Sequence, residues 1–264
     1  MIASTDMELS FAAYNERQHH EISPDGLRNR AARVAPGGRA LYENGEWEPQ
    51  PYPGHAVVTM VSDLSQNDDL TAELEVVQRE LSTGFGDPTA IYMLPQSSFH
   101  QTIANTLSDE KHQKLVVERG RASTFPRLVT DAFPEIPAMP AFAPMSMRMV
   151  GLGIFSTAIG VLGVFDSEEA FQRVLHFRDH FYRHSRIELL GIRRTRPFIG
   201  HVTVAYVERL LENDERHRLA DTVAAINRSL AGRDLRFHLQ TAELRAYDHL
   251  AEFKPIPGLP VYRL

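Results

Sequence analysis

The hydrophobic residues in the first half of the chain predict a strand, a helix and a second strand. Residues 56–61 are apolar at every position except Thr59 and predict a buried β-strand. The next segment, 69–81, predicts an amphipathic helix because its apolar residues recur at helical spacing: Leu70, Leu74, Val77 and Leu81. A turn at 84–88 leads into the next predicted strand, after which Ser108 is a favourable N-cap for a further helix.

The second half of the chain repeats this plan without clear sequence identity. Its predicted elements are, in chain order, a hairpin of strands 147–155 and 158–165, a helix from Asp166 or Ser167 to about 185, a strand that contains His201, a helix over 212–230 ended by Gly232, and a strand over 237–244. The same succession of strand, helix and strand in both halves predicts a structural repeat.

The order of these elements predicts an α+β fold. We expect residues 51–264 to form a single bilobal domain, with halves at about 51–130 and 145–264. A proline-rich connector over 126–144 separates the halves, and residues 1–50, which contain several turn signals, are expected to be an N-terminal extension. Each lobe is predicted to be a small, mainly antiparallel sheet with helices outside, and the two sheets are predicted to face each other across a central cleft.

Composition limits the remaining possibilities. The chain has 264 residues, of which 43% are hydrophobic and 23% are charged, as is ordinary for a soluble globular protein. No apolar run approaches the ~20 residues needed to span a bilayer, and the N-terminus lacks the pattern of a signal peptide. We therefore expect a cytoplasmic protein without a membrane partner. The absence of cysteine excludes disulfides, thiolate metal sites and cysteine nucleophiles.

The formal net charge of −6 bears on possible nucleic-acid partners. Proteins that bind extended duplexes without sequence preference are usually basic, because Lys and Arg neutralise the phosphate backbone. An extended duplex is therefore not the expected partner. A small nucleotide or an RNA terminus held in a locally basic cleft is compatible with this charge. The sequence leaves the oligomeric state open.

One short motif, His-x-Thr-apolar, occurs twice. His100-Gln-Thr102-Ile and His201-Val-Thr203-Val each lie in a predicted strand, and the other ten of the twelve histidines have no Thr or Ser two residues later. Residues i and i+2 of a strand point to the same face, so each His projects beside its Thr. Two such strands facing each other would present two imidazoles and two hydroxyls to one cleft.

With these two motifs the chain resembles the 2H phosphoesterase superfamily, which carries one His-x-Thr/Ser-x strand in each of two pseudo-symmetric lobes. That superfamily includes RNA 2′,5′-ligase-like proteins and cyclic phosphodiesterases that act on 2′,3′-cyclic phosphates. The resemblance implies hydrolysis of a phosphodiester on a nucleotide or RNA end. Many relatives continue the second motif to an Arg at the position where this chain has Tyr206.

The residue types account for the implied chemistry. His100 and His201 are predicted to act as general acid and general base, one activating water and the other protonating the leaving ribose oxygen. Thr102 and Thr203 are predicted to bind the non-bridging phosphate oxygens. The scheme requires no metal and no cofactor, and it leaves open which histidine is the acid. If both titrate near the reference pKa of about 6.5, activity should peak near neutrality.

Further polar residues flank the second motif. Arg194 and Arg196, with Arg193, precede its strand and are candidate substrate-binding residues, although a solvated loop is an equally good interpretation. Tyr206 is a further candidate. Strict alternation nevertheless predicts that Tyr206 faces away from the cleft unless the strand bulges, and it predicts that Phe99 points away from the His100 side.

Two alternative functions remain open at this point. The altered second motif could belong to a non-catalytic module that binds a nucleotide or RNA end. Alternatively, His176, His180 and His184 share one face of a predicted helix at the spacing of some zinc ligands, which would suit a metal-dependent hydrolase. A polar helix surface is the simpler explanation of those three histidines.

Overall fold

The computed structural model describes residues 7–140 and 144–264, so residues 141–143 of the predicted connector and the first six residues lie outside it. Its helices are α1 (Phe11–Glu21), α2 (Pro24–Ala31), α3 (Asp68–Phe85), α4 (Asp109–His112), α5 (Phe125–Thr130), α6 (Glu168–Arg183), α7 (Ser185–Leu189) and α8 (Asn213–Leu230). Its strands are β1 (Ala40–Glu43), β2 (Glu46–Pro49), β3 (Gly54–Met60), β4 (Ile91–Met93), β5 (His100–Ser108), β6 (Met145–Ile154), β7 (Ala158–Phe165), β8 (His201–Val207), β9 (Arg236–Leu239), β10 (Thr241–Tyr247), β11 (Lys254–Pro255) and β12 (Tyr262–Arg263).

Two five-stranded antiparallel sheets carry the motifs, as the predicted two-lobed α+β fold requires. The first has the order β11-β10-β3-β5, with β12 also paired to β10, and the second has the order β4-β8-β7-β6-β9. Helices α3 and α8 pack against each other and against the second sheet, while α6 packs against β5 and β7. None of the helices in the described ranges is long and apolar enough to cross a membrane.

Most of the predicted elements are confirmed. The strand at 56–61 corresponds to β3, the helix at 69–81 lies within α3, and the hairpin is formed by β6 and β7. Helix α6 begins after Ser167, whose side chain accepts a hydrogen bond from the Ala170 amide. After α8, Gly232 has a φ of 86°, the left-handed conformation that a glycine adopts without strain.

The predicted division into sequence halves does not coincide with the two sheets. Strand β4 comes from the first half but pairs with β8 in the second sheet, while β10, β11 and β12 from the C-terminal region join the first sheet. The single strand predicted at 237–244 is wrong, because it is two strands that belong to different sheets and are separated at Gln240. Each strand buries alternate residues, but the buried positions change from Phe237 and Leu239 in β9 to Ala242 and Leu244 in β10, so the alternation shifts by one residue at Gln240.

The N-terminal segment is part of the core rather than an extension. Tyr14 of α1 is fully buried and stacks on Phe171 with 4.6 Å between the ring centroids. Gln18 is also fully buried and donates hydrogen bonds to the carbonyls of Gly163 (2.9 Å) and Gly200 (2.8 Å). These contacts place α1 against β7 and against Gly200, which directly precedes the second motif.

Candidate functional site

The two motif histidines occupy equivalent positions in their sheets. His100 is the first residue of β5 and pairs with Met60 of β3, while His201 is the first residue of β8 and pairs with Leu162 of β7. Within each motif the His and the Thr are partly exposed, and the residue between them is buried. This alternation puts each His and its Thr on one face, as the strand period predicts.

A single cleft of about 540 Å³ is lined by His100, Thr102, His201 and Thr203 together. The structure therefore places the four motif residues on the walls of one groove. A larger and more open groove of about 840 Å³ runs between α3 and α8, but none of the four lines it. The smaller cleft is the candidate functional site because the chemically matched residues converge there.

Both imidazoles are held by the same local hydrogen bond. Nδ1 of His100 lies 2.6 Å from the carbonyl oxygen of Ser98, and Nδ1 of His201 lies 3.0 Å from the carbonyl oxygen of Ile199, in each case two residues upstream. Since a carbonyl can only accept, Nδ1 carries the proton in both rings. The Nε2 atom of each neutral ring is left with its lone pair, which suits it to take a proton from a substrate or a water.

A phenylalanine packs on each imidazole. Phe253 lies 4.0 Å from His100 and Phe155 lies 5.2 Å from His201, measured between ring centroids, and both phenylalanines line the cleft. Sequence reasoning missed both residues, because neither lies in a long strand. Phe253 follows β10, and Phe155 directly follows β6 in the turn of the hairpin. Their rings restrict the orientation of the histidines and reduce the access of water to them.

Burial in this cleft makes both histidines weak bases. Desolvation lowers the pKa of His100 to about 4, the Ser98 hydrogen bond opposes this shift, and the charge of Arg245 adds to it. Desolvation also lowers the pKa of His201 to about 4, against its Ile199 hydrogen bond and with help from the charges of Arg196, of His100 when that ring is protonated, and of Arg17. Each imidazole is therefore neutral at pH 7.

A β-bulge follows each motif and corrects the prediction for Tyr206. In β8 the partners of Gly160 and Ile159 are Thr203 and Ala205, so one residue is inserted after Thr203, and Tyr206 returns to the cleft side. Strand β5 has the same insertion after Thr102, because Val58 pairs with Thr102 and Val57 with Ala104. The bulge places Asn105 in the cleft at the position equivalent to Tyr206.

The side chain of Gln101 joins the two motif strands. It is fully buried, its Nε2 donates to the carbonyl of Ile199 at 3.0 Å, and its Oε1 accepts from the amide of His201 at 2.6 Å. The residue between His100 and Thr102 thereby fixes the start of β8. Sequence analysis attached no role to Gln101, since its position inside the motif carries no signal of such a contact.

Positive charge in the cleft comes from the N-terminal segment and from the loop before β8. Arg196 lines it as predicted, and Arg17, Arg30 and Arg39 reach it from the N-terminal segment, where Arg30 is paired with Glu21. Sequence analysis did not assign a role to the N-terminal arginines, because neither the helices that carry Arg17 and Arg30 nor the segment before β1 that carries Arg39 gave a strong periodic signal.

The other two candidate arginines do not line this cleft. Arg194 instead pairs with Asp179 (3.0 Å) and lies 3.6 Å from Glu8, so its prediction as a substrate-binding residue is not supported. Arg193 donates to the carbonyls of Glu188 and Ile192. Phe99 is fully buried in the core, which agrees with its predicted orientation away from the His100 side.

An aromatic wall runs from the N-terminal segment to His100. The guanidinium of Arg39 lies 3.8 Å from the ring centroid of Tyr52, and Tyr52 is nearly parallel to Tyr247, at 10° with 6.4 Å between centroids. Tyr247 in turn contacts Phe253 at 4.9 Å. All of these side chains line the cleft, where they offer flat surfaces of the kind on which nucleobases stack.

The three helical histidines have other partners. His176 contacts the carbonyl of Pro137 through Nε2 at 2.8 Å, while His180 contacts the carbonyl of His176 through Nδ1 at 3.0 Å. His184 lies just beyond α6 and pairs with Glu135 at 3.0 Å. Within residues 7–140 and 144–264, no group of three or more His, Cys, Asp or Glu side chains is arranged to hold a metal ion. The geometry thus gives the metal-dependent alternative no support.

Comparison with known proteins identifies a shared fold. No protein-family model matches the chain, and no curated protein matches it. The chain resembles the crystal structure of a conserved protein of unknown function from Agrobacterium tumefaciens strain C58, with a TM-score of 0.56 and 18% sequence identity over 90% of this chain and 96% of the other. At this identity the likeness shows the fold alone.

Proposed function

We propose that this protein is a metal-independent phosphodiesterase that opens a cyclic phosphate on a nucleotide or an RNA end. The observation that carries the proposal is the matched pair of histidines: each begins a strand, each donates Nδ1–H to a carbonyl two residues upstream, and each lies beside a Thr in one cleft. A 2′,3′-cyclic phosphate is the first candidate substrate, because its hydrolysis needs one proton acceptor and one proton donor at the same phosphorus.

In the proposed reaction, Nε2 of one neutral histidine takes a proton from the attacking water. The other histidine, protonated at Nε2, gives its proton to the departing ribose oxygen as the P–O bond breaks. Thr102 and Thr203 donate hydrogen bonds to the non-bridging oxygens, where negative charge builds up in the transition state. The positions of the two histidines are equivalent, so the geometry leaves open which of them is the acid.

The surroundings of the pair suit an anionic nucleotide. Arg196 and Arg17 lie close enough to His201 for their charges to lower its pKa, and the same charges would attract a phosphate. Tyr206 occupies the position at which many 2H phosphoesterases have an Arg, so in this chain the two arginines take over the cationic role. The aromatic wall of Tyr52, Tyr247 and Phe253 offers a stacking surface for a base.

A second candidate function is a nucleotide-binding or RNA-end-binding module without turnover. Two points favour it: Tyr206 stands where many 2H phosphoesterases have an Arg, and both histidines are neutral at pH 7. Tight binding of a cyclic nucleotide in the absence of any product would support this function against catalysis.

The experiment that tests the proposal is a substrate panel assayed in EDTA. It comprises 2′,3′-cyclic nucleotides, 2′,5′- and 3′,5′-linked dinucleotides and ADP-ribose 1″,2″-cyclic phosphate. We expect turnover of at least one cyclic phosphate at a rate that EDTA does not change. Turnover that appears only when a divalent metal is added would overturn the metal-independent mechanism, and the absence of turnover on the whole panel would overturn catalysis.

The lowered histidine pKa values predict an acidic pH optimum for kcat/KM. This parameter reports the free enzyme, in which the reactive state needs one protonated and one neutral imidazole. Because burial lowers both pKa values to about 4, that state becomes rarer as the pH rises above this value. We expect kcat/KM to fall between pH 5 and pH 8, rather than to peak near neutrality as the reference pKa would suggest.

A bound phosphate should shift the pH dependence of kcat towards higher pH than that of kcat/KM. The anion stabilises the imidazolium that faces it, which raises the pKa of that histidine in the complex, so kcat should persist to higher pH than kcat/KM. Circular dichroism at each pH would establish that the protein stays folded. A kcat/KM that is flat or that rises between pH 5 and pH 8 would contradict the proposed acid–base roles.

A further inference from the structure

A second pocket of about 360 Å³ adjoins the cleft. Asn105, Ser108 and Arg196 line both cavities, so the two are continuous along β5. Beyond these shared residues, the pocket is formed by the end of β5, the start of α4 and the loop before β8. Apart from Arg196, the reaction proposed above uses no side chain of this pocket.

The second pocket is positively charged. Lys111, Arg193 and Arg196 line it, and no carboxylate does so among the residues that the structure describes. Lys111 is exposed and forms no ion pair with any described residue, nor does Arg196. Arg193 is held in place by the carbonyls of Glu188 and Ile192, which orient the guanidinium without neutralising it.

This charge contrasts with the rest of the molecule. The chain as a whole has a formal net charge of −6, and the neighbouring Arg194 is neutralised by Asp179 and Glu8. Thr195 adds an exposed hydroxyl to the pocket. A concave site with unpaired cations and a hydroxyl, on a protein that is otherwise acidic, is suited to bind an anion such as a phosphate.

The position of the pocket indicates which phosphate it would bind. Asn105 and Ser108 lie three and six residues beyond Thr102 on β5, which corresponds to roughly 10 to 20 Å at the rise of a β-strand. A mononucleoside cyclic phosphate held between the histidines does not reach the far end of this span. A chain of two or three nucleotides does, and it carries backbone phosphates along its length.

We propose that this pocket is a second phosphate subsite, and that the preferred substrate is the end of a short single-stranded nucleic acid rather than a mononucleotide. The inference rests on the proposed function for the reacting group at the histidines. Lys111 and Arg193 bind a backbone phosphate, and Arg196, which lies between the two cavities, contacts the strand on its way to the reacting end.

The test compares two substrates that share one reacting group: a mononucleoside 2′,3′-cyclic phosphate and a trinucleotide that ends in the same cyclic phosphate. We expect the wild-type kcat/KM to be higher for the trinucleotide, with an advantage that declines as salt is raised. The double substitution Lys111→Met/Arg193→Gln should raise the trinucleotide KM by about tenfold with little change in kcat.

Lys114→Met is the matched control. It removes an exposed lysine from the next turn of the same segment, outside the pocket, and should keep the wild-type ratio of the two substrates. If the double variant fails to fold, Lys111→Met alone keeps the test valid, because that side chain makes no hydrogen bond or ion pair with a described residue. The single variant should show the same selective rise in trinucleotide KM, to a smaller extent.

Equal kcat/KM for the two substrates, or a trinucleotide advantage that survives the double substitution, would overturn the second subsite and leave the phosphodiesterase proposal standing. If neither substrate is turned over, the affinity for a fluorescent trideoxynucleotide with a 3′-phosphate tests whether the second subsite exists. Weaker binding by the Lys111/Arg193 variant than by wild type would support the subsite without catalysis. Unchanged binding would overturn it.

Discussion

Replacing His201 with alanine is expected to lower kcat on the best substrate by roughly two to four orders of magnitude, the usual contribution of a general acid or base. His100→Ala should have an effect of similar size, because the two imidazoles have the same hydrogen-bond geometry and lowered pKa values. The measurement is steady-state turnover in EDTA at the pH optimum of the wild type.

Two sets of variants control for indirect effects. Thr102→Ala and Thr203→Ala should lower kcat by less than either histidine substitution, because each removes one hydrogen bond to the phosphate and leaves proton transfer intact. His180→Ala should leave kcat nearly unchanged, since that side chain is bonded within α6 and does not line the cleft. Near-wild-type turnover after His201→Ala would remove His201 from the mechanism.

Replacing Glu8 with alanine is expected to lower the free energy of unfolding by about 3 to 5 kcal/mol, the cost of leaving a buried charge without its partner. The side chain of Arg178 is 3% exposed, and its Nε donates to Glu8 at 2.8 Å. Glu8 also accepts a hydrogen bond from the amide of Phe198 at 2.6 Å, just before the second motif. Denaturant unfolding of the two proteins measures this difference.

The matched control is Glu16→Ala. It removes an exposed carboxylate from α1 and should change the free energy of unfolding by less than about 0.5 kcal/mol. If Glu8→Ala were as mild as this control, the N-terminal segment would be an accessory to the fold rather than part of its core. A large effect would agree with the full burial of Tyr14 and Gln18.

The sequence predicted the centre of the site because the motif occurs twice in predicted strands, and the alternation of side chains along a strand determines which motif residues share a face. Each His projects beside its Thr because residues i and i+2 of a strand share a face, and the two pairs line one cleft because β5 and β8 contact each other. The position of Tyr206 could not be predicted in the same way, since it depends on a bulge that the pairing of β7 with β8 imposes. Asn105 escaped notice for the same reason.

Long-range pairing explains the remaining differences. Strand β4 and the C-terminal strand β10 each join the sheet of the other half, and no local pattern specifies the partner of a strand. The positions of the N-terminal arginines could not be predicted locally either, because their place in the cleft follows from the burial of Tyr14 and Gln18 against the second sheet. Local periodicity predicts elements, and tertiary packing decides which of them meet.

The most direct test of the central claim is the conversion of a nucleoside 2′,3′-cyclic phosphate by the wild-type protein and by the double variant His100→Ala/His201→Ala, both in EDTA and followed by ³¹P NMR. We expect the wild type to convert the cyclic phosphate into one phosphomonoester, and the double variant to lose about as much activity as the more damaging single variant, because the pair acts as a unit. Conversion at the same rate by both proteins, or no conversion by the wild type, would contradict the account.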